Sequence, residues 1–173
     1  MIVRGRVQRF GADINTDYII AAQHKAASLD VARMARHTFE DIDPGFVDRV
    51  QAGDVVVAGP NFGCGSSRET APRVLQACGI SAVVAPTYGR IFFRNAINVG
   101  LPVIECDTTG IEQDDVIEID VEHGRVTVEE RGLQRTATPL PDVMRALLEA
   151  GGLANYLRRH GDLVLPSSDR INN

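Results

Sequence analysis

The sequence has few cysteines, no long apolar run and no excess of positive charge. Its 173 residues include 18 Lys or Arg and 23 Asp or Glu, so the formal net charge is −5 with the histidines neutral. This charge excludes a nucleic-acid binder that works through bulk basic charge. No stretch approaches the roughly 20 consecutive apolar residues of a membrane-spanning helix, and no apolar signal core follows the charged N-terminus. The sequence therefore predicts a soluble, cytoplasmic protein.

The cysteines and histidines are too scattered to indicate a metal site. Cys64, Cys78 and Cys106 are an odd set, widely separated and without a C-x-x-C motif. This usage fits a reducing compartment and argues against a complete metal or iron–sulfur site. The histidines show no metal-binding spacing and are interpreted as surface or hydrogen-bonded residues: His24, His37, His123 and His160. We expect no metal in this chain, so any cluster involved must be held by another chain.

Composition and pattern favour one α/β domain over residues 1–173. Hydrophobic residues make up 44% and charged residues 24%, close to the globular averages. Two short apolar runs, Val55–Ala58 and Ser81–Ala85, are typical of strands buried on both faces. Because a glycine-rich turn and a helical pattern separate these runs, they predict a parallel crossover unit.

Further elements are predicted along the chain with turn signals between them. Strands are expected over Ile2–Phe10 and Leu101–Glu105, and an antiparallel hairpin with one solvated face over Val116–Val121 and Val126–Val128. Ala21–Ser28 is predicted as a loop and Asp13–Asp17 as an ordered turn. Helices are expected from Ser28 or Asp30, with Phe39 extending the apolar face, then over Ile91–Asn98 and Pro141–Glu149, with an apolar stretch over Leu153–Leu157.

The glycine-rich turn between the two buried strands can form an anion cradle. Gly63 and Gly65, with the small Ser66 and Ser67, let backbone N–H groups approach a ligand, and the following helix adds its positive dipole end. Arg68 adds a planar fork of donors that can hold a carboxylate or phosphate at two points.

A purely structural interpretation of the same turn is a helix cap. The spacing Ser66-x-x-Glu69 is that of a capping box. However, Pro72 would then fall beyond the first helical turn. A helix that begins nearer Thr70 would leave the serines on the loop, facing outward.

Other interpretations of the turn match less well. A phosphate-binding loop needs Gly-Lys-Ser/Thr, and the dinucleotide fingerprint needs a third glycine where Arg68 stands. Cys64 could act as a nucleophile, but no histidine lies in the same unit to serve as its base. Backbone N–H groups and a nearby arginine would instead favour the alkoxide of a serine. That would allow proton abstraction next to a carboxylate, as in chemistry on small carboxylic acids.

Four separated blocks of the sequence carry a family resemblance. They are GADINTD at residues 11–17, NFGCGSSRE at residues 61–69, APTYGRIFFRNAINVGLP at residues 85–102 and AGGLANYL at residues 150–157. Together they resemble the small subunits of the aconitase superfamily, in the branch of 3-isopropylmalate dehydratase and homoaconitase. The resemblance runs over nearly the whole chain.

The resemblance implies a swivelling β/β/α domain that closes over the active site of a separate large subunit. That partner would hold a [4Fe–4S] cluster, whose open iron binds the substrate hydroxyl and a carboxylate as a Lewis acid. Ser66 would be the base that removes or returns the proton at carbon. Gly65, Ser67 and Arg68 would bind the substrate, with Ser67 and Arg68 also polarising Ser66. The implied reaction is a reversible dehydration and rehydration of a hydroxy acid.

The specificity loop implied by the resemblance departs from both family patterns. Members that bind a second distal carboxylate carry Tyr-Leu-Arg-Thr, and isopropylmalate enzymes carry Tyr-Leu-Val-Tyr. This chain has His24, Lys25, Ala26, Ala27 and Ser28. Ala26 stands where the arginine would align, which disfavours homoaconitate, and a small cavity there would admit a branched alkyl group. We expect 3-isopropylmalate, with 2,3-dimethylmalate or a methylmalate as a rival substrate.

Two questions stay open on the sequence alone. A non-catalytic module that only binds carboxylates would use the same cradle. Arg90 and Arg94 could serve the substrate, a subunit interface or a salt bridge, and we favour the structural roles.

Overall fold

The computed structural model of the protein describes residues 1–27, 30–66 and 69–163, with residues 25–27 described by their backbone only. The strands are β1 Ile2–Arg9, β2 Val55–Val57, β3 Ala82–Ala85, β4 Val103–Glu105, β5 Val116–Asp120, β6 Arg125–Val128 and β7 Leu133–Thr136. The helices are α1 Thr16–Ile19, α2 Ala22–Ala27, α3 Val31–Ala35, α4 Phe46–Arg49, α5 Thr70–Ala77, α6 Arg90–Val99, α7 Asp142–Glu149 and α8 Leu153–His160. None of the helices among these residues combines the length and apolar character needed to cross a membrane.

One seven-stranded sheet organises the α/β fold, in the order β4-β3-β2-β1-β5-β6-β7. Strands β1 to β4 run parallel, and Val56 pairs with Gln8 on one side and Val83 on the other. All residues of β2 and β3 are buried, because their short apolar runs lie between layers of packed side chains. The predicted crossover unit is confirmed, with α5 joining β2 to β3.

The other half of the sheet is antiparallel. Strand β5 pairs with β1 and with β6, as the predicted hairpin requires. Ile117 and Ile119 are buried whereas Glu118 is exposed, so the alternation gives one solvated face. The edge strand β7 was not predicted, because Leu133 is its only apolar residue and it pairs only with β6.

The segment after α1 differs from its prediction as a loop. Helix α2 covers Ala22–Ala27, whose sequence AQHKAA is made largely of good helix formers. Asp30 caps α3 as expected, since its carboxylate accepts a hydrogen bond from the N–H of Ala32 at 2.9 Å. Helix α3 ends at Ala35, so Phe39 does not extend it. Phe39 instead adopts a left-handed conformation with φ of 59°.

A buried carboxylate ties β1 to the start of β2. Asp54 Oδ2 accepts hydrogen bonds from Arg6 at 3.0 Å, from the fully buried Gln8 at 2.7 Å and from the N–H of Gln51 at 3.0 Å. Burial raises the pKa of Asp54, but these hydrogen bonds and the Arg6 charge outweigh it, so the net pKa lies below its usual value.

We expect Asp54→Asn to lower the free energy of unfolding by about 2 kcal/mol at pH 7, because charged hydrogen bonds are replaced by neutral ones. Since folding lowers this pKa, the carboxylate stabilises the fold fully above its unfolded value near 4. That contribution is lost as the pH falls through the folded value. Urea unfolding of both proteins at pH 7 and pH 3 checks this. A difference that grows towards low pH would contradict it.

Candidate active site

Three loops meet at the carboxyl ends of the parallel strands. Residues 10–15 follow β1, residues 58–66 follow β2, and residues 86–89 follow β3. The ends of neighbouring parallel strands share one edge of the sheet, which is where open α/β sheets bind ligands. Backbone hydrogen bonds join the loops: Gly59 N to Gly11 O at 2.9 Å, Asp13 N to Pro60 O at 2.9 Å, Gly63 N to Ile14 O at 2.7 Å, Thr16 N to Cys64 O at 2.8 Å, and Phe62 N to Thr87 O at 3.0 Å.

Three of the four sequence blocks that carry the resemblance overlap these loops. The fourth lies elsewhere, where Gly151 and Gly152 pack against Gly100 at the end of α6. A Cβ on Gly100 would lie 2.6 Å from the Gly151 carbonyl carbon. This last block therefore joins α8 to α6 and has a packing role.

Glycine is required where the β2 loop approaches its neighbours. Gly63 has a φ of +72°, and a Cβ there would lie 2.2 Å from Cγ of the buried Phe92 ring. A Cβ on Gly89 would lie 2.4 Å from the carbonyl oxygen of Gly63. Only residues without side chains permit this approach, which fixes the path of the turn.

Ser66 lies exposed at the end of the β2 loop. Its carbonyl oxygen accepts a hydrogen bond from the Thr16 hydroxyl at 3.0 Å. Gly65 has a φ of +100°, and its backbone packs so closely on Asn15 that a Cβ would lie 2.4 Å from the Asn15 side-chain oxygen. The same oxygen caps α1 by accepting the N–H of Asp17 at 2.9 Å. The first turn of α1 thus holds the backbone that presents Ser66.

Two backbone donors of this turn have no hydrogen-bond partner among residues 1–27, 30–66 and 69–163. Neither the Gly65 nor the Ser66 N–H donates a hydrogen bond to any residue in the described part of the chain. Of the other predicted binding residues, Ser67 and Arg68 lie outside the described residues. The arrangement therefore offers exposed N–H groups and a hydroxyl at one point, which suits an anionic ligand.

Helix α5 begins at Thr70, as the position of Pro72 predicts. Pro72 occupies the first turn, where a missing N–H costs no helical hydrogen bond. Glu69 is the N-cap residue but makes no side-chain capping bond; its carboxylate accepts hydrogen bonds from Arg73 at 2.6 and 2.9 Å. The capping-box interpretation is therefore wrong, and Ser66 lies on the loop.

Cys64 is a poor candidate for a nucleophile. Burial raises the pKa of its thiol, and the nearby carboxylate of Asp13 raises it further. The reactive thiolate is correspondingly disfavoured at neutral pH. Its backbone has a clear role, since its carbonyl accepts the N–H of Thr16.

Arg90 and Arg94 lie one turn apart on α6, next to the loop that follows β3. Both are exposed, and neither forms a hydrogen bond or ion pair with a residue that the structure describes. A salt bridge within this part of the molecule is thus not their role.

The predicted specificity loop, residues 24–28, falls on α2 and just beyond it. Lys25, Ala26 and Ala27 are helical, and the structure describes their backbone only. Ser28 lies outside the described residues. His24 contacts Glu40 through Nε2, in a group that sequence spacing does not reveal because its members come from different elements.

Comparisons with known proteins agree with this geometry. The family described as the aconitase C-terminal domain matches residues 20–109. The 3-isopropylmalate dehydratase small subunit 2 of Archaeoglobus fulgidus is 45% identical over 161 residues, covering 93% of this chain and 98% of that protein. The small subunit from Moorella thermoacetica is 47% identical over 161 residues, covering 92% and 96%.

A solved structure shows the same fold. The crystal structure of 3-isopropylmalate dehydratase from Methanocaldococcus jannaschii matches with a TM-score of 0.89 and 42% identity, covering 93% of this chain and 96% of that one. The fold of aconitase small-subunit type is therefore confirmed. The chain belongs to the aconitase C-terminal domain family, in the branch of the 3-isopropylmalate dehydratase small subunits.

Proposed function

We propose that this chain is the small subunit of a two-subunit hydro-lyase that isomerises 3-isopropylmalate by dehydration and rehydration. The observation that carries the proposal is the convergence of three loops that hold Ser66 exposed, beside backbone donors that have no partner among the described residues. Relatives named as 3-isopropylmalate dehydratase small subunits support the substrate. We further propose that residues 1–173 act as one domain in the cytoplasm, in line with the cysteine usage.

Ser66 is proposed to remove and return the proton at the substrate carbon. The substrate carboxylate would lie against the Gly65 and Ser66 N–H groups, with Ser67 and Arg68 completing the cradle. The backbone N–H groups of the turn, together with Arg68, would favour the Ser66 alkoxide, which is the form that accepts a proton. The hydrogen bond from Thr16 to the Ser66 carbonyl and the contact of Gly65 with Asn15 hold the loop backbone that carries this serine.

The iron–sulfur cluster is proposed to belong to a large partner subunit. Cys64, Cys78 and Cys106 are all free and do not form a metal-binding group in the described part of the chain. These residues do not fit a cluster. This chain would contribute proton transfer and carboxylate binding, and exposed Arg90 and Arg94 are available for the partner or the substrate.

Substrate choice is tested by turnover in the complex of this chain with its large subunit. We expect kcat/KM for 3-isopropylmalate to exceed that for homoaconitate at least tenfold, because Ala26 offers no charge to a distal carboxylate. Ala26→Arg should reduce this preference by supplying that charge. A clear preference of the unmodified complex for homoaconitate would overturn the substrate, and a preference for 2,3-dimethylmalate or a methylmalate would replace it by the related hydratase.

A carboxylate-binding module without catalysis is the other candidate for the same cradle. Such a module would bind 3-isopropylmalate with the chain alone, whereas half of an active site needs its partner. Calorimetric titration of the isolated chain separates the two. Tight binding without the large subunit would favour the module.

A further inference from the structure

Three side chains with metal-binding atoms come together beside α2. His24 lies on α2, whereas His37 and Glu40 lie in the turn that follows α3. One carboxylate oxygen of Glu40 contacts His24 Nε2, and the other lies 2.7 Å from His37 Nδ1. The two imidazole rings stack with their centroids 3.8 Å apart. In the described part of the chain, these three form the one such group of potential metal ligands.

The fold determines this arrangement through Phe39. Its left-handed backbone, with φ of 59°, reverses the chain between His37 and Glu40. Its N–H donates to the carbonyl oxygen of Ile19 at 3.1 Å, which joins the turn to the end of α1. Its ring is fully buried against Phe10, with centroids 4.2 Å apart. The turn that carries the two ligands is therefore anchored in the core.

The donor set suits a particular class of ion. Two imidazole nitrogens and one carboxylate oxygen are the ligands of many zinc sites that keep a fourth position for water. The ligand atoms lie within 4.8 Å of one another. Around a tetrahedral Zn²⁺ they would be roughly 3.4 Å apart. An ion lies in the plane of each imidazole that binds it, so one of the two stacked rings must turn out of the stack, by rotation about its side-chain torsions, to reach the ion. We propose that His24, His37 and Glu40 form a binding site for one divalent transition-metal ion, typified by Zn²⁺.

Burial and charge at the group are compatible with an ion. The three side chains are 19%, 40% and 31% exposed in the order given above, so an ion can enter from solvent and keep a water ligand. A glutamate carboxyl has an ordinary pKa near 4 and is ionised at neutral pH, the form that binds a metal.

The site would connect the predicted specificity loop to the core. Because His24 belongs to α2 and the other ligands belong to the anchored turn, an ion would hold α2 against that turn. This proposal differs from the sequence-based expectation of no metal in this chain, and the titration below decides between them. It stands independently of the proposed reaction, since it concerns the small subunit itself.

Calorimetric titration of the full, reduced and chelator-treated chain, with any affinity tag removed, tests the site. We expect saturable binding of one Zn²⁺ per chain and no saturable binding of Mg²⁺, which prefers oxygen ligands. The Co²⁺-loaded chain should show no thiolate charge-transfer band, which excludes the three cysteines as ligands. No saturable Zn²⁺ binding, or a thiolate band, would overturn the proposal.

Variants assign the binding to the three residues. His37→Ala and the shape-preserving Glu40→Gln should each weaken Zn²⁺ binding at least tenfold, with circular dichroism showing that the chain remains folded. His123→Ala is the matched control. His123 also contacts a carboxylate, that of Asp120 at 2.7 Å, but among the described residues these two have no third metal-binding side chain beside them. It should leave the affinity unchanged. Equal affinity in all three variants would contradict the site, and it would do so whatever the activity of the complex.

Discussion

Replacing Ser66 with alanine is expected to lower kcat of the assembled enzyme about 10²- to 10⁴-fold, the usual contribution of a positioned general base. The hydroxyl is the group that would exchange the proton with the substrate carbon. The backbone of the loop is held through the Ser66 carbonyl and does not depend on the hydroxyl. Steady-state turnover of 3-isopropylmalate by the purified complex measures the effect.

The control for this prediction is another serine of the same chain. Ser81 donates its hydroxyl to the carbonyl of Gly53 at 2.8 Å, at the opposite end of β3 from the loops. Ser81→Ala should keep kcat near normal while costing some stability. Size-exclusion chromatography should show both variants assembled with the large subunit. Near-normal turnover of assembled Ser66→Ala would remove Ser66 from the mechanism.

Gly63→Ala is expected to lower the free energy of unfolding by about 2 to 5 kcal/mol. Its left-handed backbone costs a side chain about 1 to 2 kcal/mol, and overpacking against a buried ring adds about 1 to 3 kcal/mol. The new Cβ would meet Phe92 at 2.2 Å, so the loop must move and Ser66 with it. Urea unfolding measures the change in stability, and a lower kcat of the complex would show that the loop carrying Ser66 has moved.

Gly132→Ala separates the two costs. Gly132 also has a positive φ, of +59°, but a Cβ there meets nothing within 4 Å. It should therefore show the backbone cost alone, about 1 to 2 kcal/mol, with normal turnover. Equal destabilisation by the two substitutions would show that the contact with Phe92 does not constrain the loop.

The parallel core could be predicted from the sequence because each of its signals is local. The run Val55–Val57 is apolar throughout, as a strand buried on both faces must be, and the glycine turn and helix that follow leave few topologies. The hairpin could also be predicted, since Ile117 and Ile119 alternate with acidic residues. The sequence pattern of each of these elements is enough to predict it, without information on the elements that pack against it.

Elements that depend on tertiary contacts could not be predicted in this way. Helix α2 has no apolar periodicity, and β7 exists through its pairing with β6. The left-handed backbone of Phe39 is stabilised by burial among aromatic rings, which no local rule anticipates. The contact of His24 with His37 and Glu40 depends on that turn, so the sequence spacing of these three residues could not predict it.

The candidate site lies between these two cases. The exposed position of Ser66 was predicted, because Pro72 places the start of α5 beyond it. The support from Thr16 and Asn15 was not, since it joins loops that are distant in sequence. The resemblance rests partly on the sequence blocks at residues 11–17, 61–69 and 85–102. The sheet gives the physical reason why they act together, since they lie at the carboxyl ends of the neighbouring parallel strands β1, β2 and β3.

Anaerobic affinity capture of this chain from extracts of its own cells, with mass spectrometry and an iron assay on the eluate, tests whether it is half of a two-subunit hydro-lyase. We expect a larger partner, iron in the eluate, and turnover of 3-isopropylmalate by the captured complex. Recovery of the chain alone, without iron or turnover across a range of salt concentrations, would contradict the proposal that it is half of a hydro-lyase.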